Sequence, residues 1–384
     1  ADPGPYRSED GGLTWTEAGW YDPAQSYRNG MIGGGVFDLA LAPTQDWSGT
    51  VYAATSIGVA RSPYSGNGWI QRSKGLAPLT VRSIAAAPGN SDILLAGTSF
   101  HENMRFDTGT PGEYDGSLHY SYDGGHNWKT VSGRLDRVQA IAFSPDYATD
   151  ETAYAAAGMI AQHGYADGGI YRSTDGGENW EEVLGNLAAG ALAVSPDFAN
   201  DQTVWTAVSN YSSSLGIYQS QDGGTTWNPL ASSINAQSIV PSPNFAVDQT
   251  LFAGTATGGL QKSSDSGATW TPLSTPTMIT ALAISPAYGA SQTVIIGAQV
   301  GVSDPGAIHR STDGGITWAE LATGIPTTQN SRNLTIADLS FAVDGSMLAG
   351  VHYGGADGAV YRSEDGGMSW TAVANNLTDT QPFD

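Results

Sequence analysis

Asp38 and Asp338 are the residues whose type and placement best suit chemistry. They hold the same position in two copies of a recurring strand, just before its first large apolar residue, where the other five copies carry small residues: Ser83, Ala140, Ala191, Ser238 and Ala281. If the copies close into a ring, the first and last adjoin and the two carboxylates become neighbours near the axis. Such a pair can form a metal site or a catalytic dyad with a raised pKa, and Arg82, one strand away, can pair with one of them. The alternative is a hydrogen-bonded structural role at ring closure.

A second group of candidates lies in insertions that interrupt an otherwise regular repeat. Departures from a repeat are where a function needed once usually resides. Their carboxylates, imidazoles and aromatic rings can bind sugar hydroxyls or cations, or supply an acid/base pair for glycoside hydrolysis. The ligand-binding candidates are Trp20, Tyr21, His101, Glu102, Tyr114, His163, Tyr165, Asp304, His352 and Tyr353. Solvated loop side chains, in a chain with 37 Asp and Glu residues, are the alternative.

Paired acids four residues apart follow a repeated Ser-Pro dipeptide. They are Asp146 with Asp150 and Asp197 with Asp201. Carboxylate and carbonyl oxygens suit Ca²⁺, so calcium is a possible ligand here. Turns capped by Ser and Asp around a packed aromatic residue are the alternative. No other cofactor is expected, since the chain has no cysteine and only six scattered histidines.

The element that must position these residues is a turn with the pattern Ser-x-Asp-x-Gly-x-x-Trp. It occurs seven times, with its acid at Asp10, Asp123, Asp175, Asp222, Asp265, Asp313 and Asp365, and a degenerate copy keeps Ser62, Gly66 and Trp69. Each copy lies between two short alternating runs, which predicts a β-hairpin. The Asp carboxylate accepts hydrogen bonds from backbone N–H groups of the turn, and the glycines adopt positive φ angles. The Trp side chain buries its ring against a neighbouring sheet. A pattern that occurs seven times indicates a structural role in each repeat, not a single catalytic site.

These turns resemble the Asp-box, or bacterial neuraminidase repeat, family. The resemblance implies a β-propeller with the box between the third and fourth strands of each blade. That family includes sialidases, xyloglucanases, sortilin-type receptors and photosystem assembly factors, so it implies a fold and leaves function open. The sialidase relatives need an arginine triad, and their Arg-Ile-Pro segment is absent here. Most arginines, such as Arg61, Arg172, Arg310 and Arg362, recur just before the box Ser, which indicates surface strand positions.

Seven copies of the first strand predict an all-β, seven-bladed propeller over residues 37–384, with eight blades as the alternative. Residues 1–36 form an N-terminal hairpin and connector that packs on the ring or closes it. Large and small residues alternate along the first strands, as wedge-like packing of blades near a narrow axis requires. The boxes share one face of the ring with the Ser-Pro loops, and the insertions open onto the other.

Net charge and hydropathy exclude some classes of binding partner. A formal charge of −22 and a pI of about 4.3 disfavour nucleic acid and anionic membranes. No apolar run approaches the roughly 20 residues that span a bilayer, and the first residues are not a signal peptide. The charge suits a secreted or cell-surface protein.

The sequence therefore predicts a non-catalytic extracellular binding module that engages a glycan or a protein through its irregular face. The alternatives are a glycoside hydrolase that uses acids on that face and a structural subunit of a larger extracellular assembly.

Overall fold

The computed structural model is a ring of seven blades, each an antiparallel sheet whose strands follow one another in chain order. It describes residues 6–7, 16–17, 35–42, 50–62, 69–76, 80–98, 117–131, 135, 137–160, 166–209, 214–231, 234–300, 304–321, 324–329, 332–342, 345–353 and 357–377. This architecture confirms the predicted all-β, seven-bladed propeller.

The first three blades each use four strands. A separate pair, β1 (Tyr6–Arg7) and β2 (Thr16–Glu17), precedes them. Blade 1 contains β3 (Val36–Ala42), β4 (Thr50–Thr55), β5 (Gly58–Ser62) and β6 (Ile70–Gln71). Blade 2 contains β7 (Val81–Ala87), β8 (Asn90–Thr98), β9 (Leu118–Ser121) and β10 (Lys129–Thr130). Blade 3 contains β11 (Val138–Phe143), β12 (Ala153–Ile160), β13 (Ala166–Ser173) and β14 (Glu181–Gly185).

Blades 4 to 7 repeat this plan, and blade 7 has one additional short strand. Blade 4 contains β15 (Ala188–Val194), β16 (Val204–Ser209), β17 (Ser214–Ser220) and β18 (Asn228–Ala231). Blade 5 contains β19 (Ala236–Pro241), β20 (Leu251–Thr255), β21 (Leu260–Ser263) and β22 (Thr271–Pro272). Blade 6 contains β23 (Met278–Ile284), β24 (Val294–Gln299), β25 (Ala307–Ser311) and β26 (Ala319–Leu321). Blade 7 contains β27 (Thr328–Gln329), β28 (Arg332–Phe341), β29 (Met347–Tyr353), β30 (Asp357–Ser363) and β31 (Thr371–Leu377).

The first full strand of each blade lies innermost, against the first strands of its two neighbours. Glycines in the second strands let the next blade approach this inner layer. A Cβ on Gly297 would lie 2.6 Å from the Cβ of Ile336, and one on Gly350 would lie 2.9 Å from Cγ1 of Val36. Both neighbours belong to the following blade, so small residues on one sheet receive β-branched residues from the next. The predicted wedge packing near the axis is confirmed.

The Asp-box turns join the third and fourth strands of the blades. In blade 4 the Asp222 carboxylate accepts the N–H of Thr226 at 2.8 Å and its hydroxyl at 2.6 Å. The Ser220 hydroxyl donates to Asp222 at 2.8 Å and accepts the N–H of Gly224 at 2.7 Å. Trp227 donates its indole N–H to the Gly224 carbonyl at 3.0 Å. As predicted, the box is a hydrogen-bonded turn with a local acceptor for its tryptophan. Asp10 lies outside the described residues.

The recurring basic residue before the box contacts the following blade. Arg172 donates to the Gly223 carbonyl at 2.6 Å, Arg310 donates to the Gly366 carbonyl at 2.9 Å, and Lys262 donates to the Gly314 carbonyl at 3.1 Å. Each acceptor is the first glycine of the next box. Arg172 and Arg310 are partly exposed strand residues, in line with the predicted surface positions, and they also tie one blade to the next.

Four single-turn helices follow the innermost strands of blades 3 to 6. They are α1 (Tyr147–Asp150), α2 (Phe198–Asp201), α3 (Phe245–Asp248) and α4 (Tyr288–Ser291). Each buries its first, aromatic residue. The ring of that residue packs edge-on against an aromatic ring of a strand, for example Phe245 on Trp205 with centroids 5.0 Å apart. Within the described residues, no helix has the length and apolar character needed to cross a bilayer.

Candidate functional site

All seven inner strands carry a β-bulge at the same place, close to their N-terminal ends. In blade 1, for example, Val36 pairs with Thr55 and Asp38 with Ala54, which leaves Phe37 without a partner of its own on β4. A bulge releases one residue from the ladder and changes the direction of its side chain. The released residues are Phe37, Arg82, Gln139, Gly190, Gln237, Thr280 and Ala337. We call them the channel ring.

The channel ring faces the central channel of the propeller. Although it lies in the innermost strands, Gln139, Gly190 and Gln237 are exposed and the other four members are partly exposed. The N-terminal ends of these strands lie on the face where the blade-to-blade insertions emerge. The ring therefore borders the mouth of the channel on the irregular face. Sequence reasoning missed it. The available signal was a polar residue, such as Gln139 after Val138, that breaks the apolar alternation in the same place.

An aromatic and cationic stack spans three blades at one side of this mouth. The Arg82 guanidinium of blade 2 lies 4.3 Å from the ring centroid of Phe37 in blade 1. The Phe37 ring in turn contacts the His352 ring of blade 7, with centroids 5.9 Å apart and planes inclined by 53°. A guanidinium over an aromatic face is attracted to the negative charge of the ring face. The Arg82 guanidinium and the His352 ring thus lie on either side of Phe37; the pairing of Arg82 with a carboxylate and the role of His352 in ligand binding stay predictions.

Asp38 and Asp338 are neighbours at the junction of blades 1 and 7. The Leu39 N–H donates to Oδ1 of Asp38 at 2.9 Å and to Oδ2 of Asp338 at 3.2 Å, so the two carboxyl groups share one donor. The second oxygen of Asp38 accepts the N–H of Ile84 in blade 2 at 2.8 Å. The adjacency inferred from strand alignment is therefore present in the structure.

The environment of this pair favours the neutral carboxylic acid. Both residues keep part of their surface accessible from the channel, yet protein surrounds the carboxyl groups closely enough for burial to dominate. Burial raises the pKa of Asp38 well above its usual range, and repulsion from Asp338 adds to that shift. Burial also raises the pKa of Asp338, against hydrogen bonds from the backbone of Leu339 and Leu39. Two acids this close hold a proton at a pH where an isolated aspartate is ionised.

The side chain of Tyr353 is buried and cannot contact a ligand at the mouth of the channel. Its side chain has no accessible surface, and its hydroxyl donates to the Pro326 carbonyl at 2.9 Å. The prediction of Tyr353 as a ligand-binding residue therefore disagrees with its position, because its ring is part of the core of blade 7. Asp304, another candidate, is exposed at the start of the segment that leads into β25. The remaining loop candidates lie outside the described residues: Trp20, Tyr21, His101, Glu102, Tyr114, His163 and Tyr165.

The acids after the Ser-Pro dipeptides hold their own turns together. Asp150 accepts the Ser144 hydroxyl at 2.6 Å and the Thr152 N–H at 2.8 Å, and Asp201 repeats this with Ser195 and Thr203. Asp146 accepts the Thr149 hydroxyl, and Asp197 accepts the Asn200 amide at 2.6 Å. These contacts favour the capped-turn interpretation over the calcium one. Nowhere in the described part of the chain do three potential metal ligands of the Asp, Glu, His or Cys type cluster.

Two family models match the sequence. The model described as a DUF6242 beta propeller domain matches residues 186–383, and the BNR/Asp-box repeat model matches residues 171–182. The first match covers just over half of the chain. This chain belongs to the DUF6242 β-propeller family. The Asp-box resemblance read from the sequence is confirmed, and it now applies to a named propeller domain. No curated protein matches the DUF6242 chain.

Solved structures share the fold of this DUF6242 propeller at low identity. The GH74 xyloglucanase from Xanthomonas campestris has a TM-score of 0.66 at 16% identity, over 91% of this chain and 56% of that chain. A GH74 enzyme from Niastella koreensis has a TM-score of 0.65 at 18% identity, over 90% and 55%. YCF48 bound to D1 peptide has a TM-score of 0.55 at 16% identity, over 87% and 95%. The DUF6242 chain thus spans little more than half the length of the two GH74 enzymes.

Proposed function

We propose that this DUF6242 propeller is a non-catalytic binding module that holds an extended segment of a protein ligand across the mouth of its central channel. The observation that supports this best is the channel ring, in which a bulge releases the same residue from all seven inner strands. Side chains freed from the sheet at a common level are available to a ligand that spans several blades.

The chemistry of the channel ring suits a polypeptide. Gln139 and Gln237 are exposed on two inner strands, and each amide offers both donors and an acceptor, as the backbone of an extended peptide requires. Arg82, over Phe37, adds a cation beside an apolar surface. Sugar binding usually needs exposed aromatic rings, and Tyr353, one of the rings considered for that role, is packed inward.

Propellers of this fold include a peptide binder. YCF48, which its structure shows with a D1 peptide, matches this propeller over 95% of its own length. Likeness at this level of identity concerns the fold, so the peptide ligand is our inference. We place the module outside the cell or at its surface, where its charge of −22 favours solubility, and a larger extracellular assembly is a natural setting for it.

The test combines overlapping synthetic peptides and a glycan array with the purified protein and a Gln139→Ala/Gln237→Ala double variant. We expect the protein to bind a subset of peptides. We expect the double variant to bind them about tenfold more weakly, since each lost hydrogen bond costs roughly 0.5–1.5 kcal/mol. Both positions are exposed, so folding should be unchanged.

Glu178→Ala provides the matched control, because Glu178 is exposed in a box on the opposite face. Its peptide affinity should equal that of the unmodified protein. Equal weakening by the control, an unaffected double variant, or binding to glycans alone would contradict the proposal. Turnover of a glycan substrate that is lost in Asp38→Asn would favour the hydrolase instead.

A further inference from the structure

The junction between blades 7 and 1 differs from the other blade contacts because it joins the two ends of the ring. Many propellers strengthen this junction by placing a strand from one end of the chain in the blade formed by the other. In the described residues, blade 7 is built from β27 to β31 and blade 1 from β3 to β6. Among these described strands, β3 of blade 1 packs against β28 and β29 of blade 7.

Carboxyl groups cross this junction and the next one with the same geometry. Asp338 of blade 7 accepts the N–H of Leu39 in blade 1, and Asp38 of blade 1 accepts the N–H of Ile84 in blade 2. Each acid sits just after the bulge of its strand, and each donor is the residue that follows the equivalent position in the next blade. The other five blades carry Ser or Ala there, so carboxyl groups occur only on the two inner strands that meet at ring closure.

We propose that Asp38 and Asp338 form a proton-dependent clasp that closes the ring. One proton carried by the pair lets the two carboxyl groups bridge blades 7, 1 and 2 through backbone amides, and its loss loosens the junction of blades 7 and 1. We call the four residues Asp38, Asp338, Leu39 and Ile84 the closure clasp.

The physical basis is competition between hydrogen bonding and like-charge repulsion. With one proton between them, the two acids carry a single negative charge that the shared Leu39 N–H and the Ile84 N–H stabilise. When both are ionised, two charges from adjacent blades repel one another in a protein environment that screens them weakly. The raised pKa values of both groups agree with this account. Because the acids belong to different blades, the repulsion acts to separate those blades.

Other charged or titratable groups lie on the strands packed against the clasp. Arg82 on β7 and His352 on β29 both contact the ring of Phe37. Arg332 begins the strand that carries Asp338. Tyr353 and Tyr361 are buried in the sheet of blade 7, where burial raises the pKa of both phenols. Among the described residues, Asp38 and Asp338 are the two acids that accept backbone N–H groups from a neighbouring inner strand.

Hydrogen exchange measured by mass spectrometry tests the clasp. Peptides that cover β3 and β28 report on the junction of blades 7 and 1, and peptides that cover β15 and β19 report on that of blades 4 and 5. After correction for intrinsic exchange rates, protection of β3 and β28 should fall as pH rises from about 5 toward the raised pKa of the pair, by about tenfold for each pH unit in that interval, and should level off above it. Protection of β15 and β19 should change much less.

Asp338→Asn is the decisive variant, because an Asn carbonyl still accepts the Leu39 N–H while the carboxyl group at this position is removed. Its protection at β3 and β28 should fall less steeply with rising pH, since only the buried Asp38 still titrates, and should exceed that of the unmodified protein at alkaline pH. Ser238→Ala, at the equivalent position of blade 5, should behave as the unmodified protein does. Identical pH profiles for Asp338→Asn and the unmodified protein, or equal loss at both junctions, would overturn the proposal.

An infrared titration keeps the test valid if Asp338→Asn does not fold. Difference spectra of the unmodified protein and Asp38→Asn should show a protonated carboxyl near neutral pH whose signal is weaker in the variant. A spectrum without any protonated carboxyl near neutral pH would reject the shared proton.

Discussion

Ser220 shows why each Asp-box turn depends on a buried hydroxyl as much as on its acid. The Ser220 side chain has no accessible surface, accepts the Gly224 N–H at 2.7 Å and donates to Asp222 at 2.8 Å. The same pair of bonds occurs at Ser173, Ser263 and Ser311. The acid, by contrast, is exposed and surrounded by solvent as well as by donors. The Ser220 hydroxyl therefore orients the Asp222 carboxylate and accepts a hydrogen bond from the buried Gly224 N–H, which water cannot reach.

Ser220→Ala should destabilise the protein by about 1–3 kcal/mol, because the Gly224 N–H is left buried without an acceptor. Urea denaturation followed by tryptophan fluorescence measures the change. Thr225→Ala in the same turn is the control, since Thr225 is exposed and its hydroxyl contacts only the Asp222 carbonyl. An equal loss for both variants would argue against the unpaired Gly224 N–H as the cause.

At this scale, sequence reasoning succeeded where a repeat position determined the environment. The box hydrogen bonds and the adjacency of Asp38 and Asp338 followed from aligned spacing alone. The burial of Tyr353 could not be predicted in this way, because the direction of a side chain at the end of a strand depends on the twist of the sheet and on the packing of the neighbouring loop. Pro326, which accepts its hydroxyl, lies 27 residues away in sequence.

The bulges of the inner strands and the glycines of the second strands together set the spacing of the blades. Gly297 pairs with Ala281, and its missing Cβ makes room for Ile336 of the next blade. Sequence alternation predicted these strands and their wedge packing. It did not predict the bulges, since one extra residue in a ladder has no fixed composition: Phe, Arg, Gln, Gly, Thr and Ala all occupy the same place.

Gly297→Ala should destabilise the protein by about 1–3 kcal/mol, the usual cost of forcing an extra carbon into a packed interior. Its Cβ would lie 2.6 Å from the Ile336 Cβ, within a layer that has little freedom to move. Gly190→Ala is the matched control, because an added Cβ there meets no atom within 4 Å. Thermal unfolding of both variants gives the comparison, and a loss at Gly190 as large as at Gly297 would argue against wedge packing as the cause.

The whole ring combines two groups of acids that respond to pH in opposite directions. Hydrogen bonds, chiefly from Thr226, Thr317 and Ser369, lower the pKa of Asp222, Asp313 and Asp365 to about 2 from a usual 3.8. A lowered pKa contributes stability that is present above the usual value and is lost as pH falls toward about 2. Burial raises the pKa of Asp338 to about 7, which contributes stability below pH 3.8 that is lost as pH rises through about 7.

The protein should therefore be most stable near pH 4, because stability rises with pH up to the usual aspartate pKa and falls between that value and the raised pKa of Asp338. Self-repulsion in a chain of charge −22 strengthens the loss on the alkaline side. Urea midpoints measured across this range test the expectation, and Asp338→Asn should flatten the alkaline limb while it leaves the acid limb unchanged. A midpoint that continues to rise beyond neutral pH would contradict it.

The channel ring has a consequence for how this architecture diversifies. Because the backbone adopts the same bulge with six different residue types, its geometry does not depend on which side chain is present. Selection, or a designer, can exchange those seven positions one at a time at little cost to folding. Ligand choice in such propellers can therefore change rapidly while the scaffold stays constant, and a combinatorial library confined to the ring is a rational source of new binders.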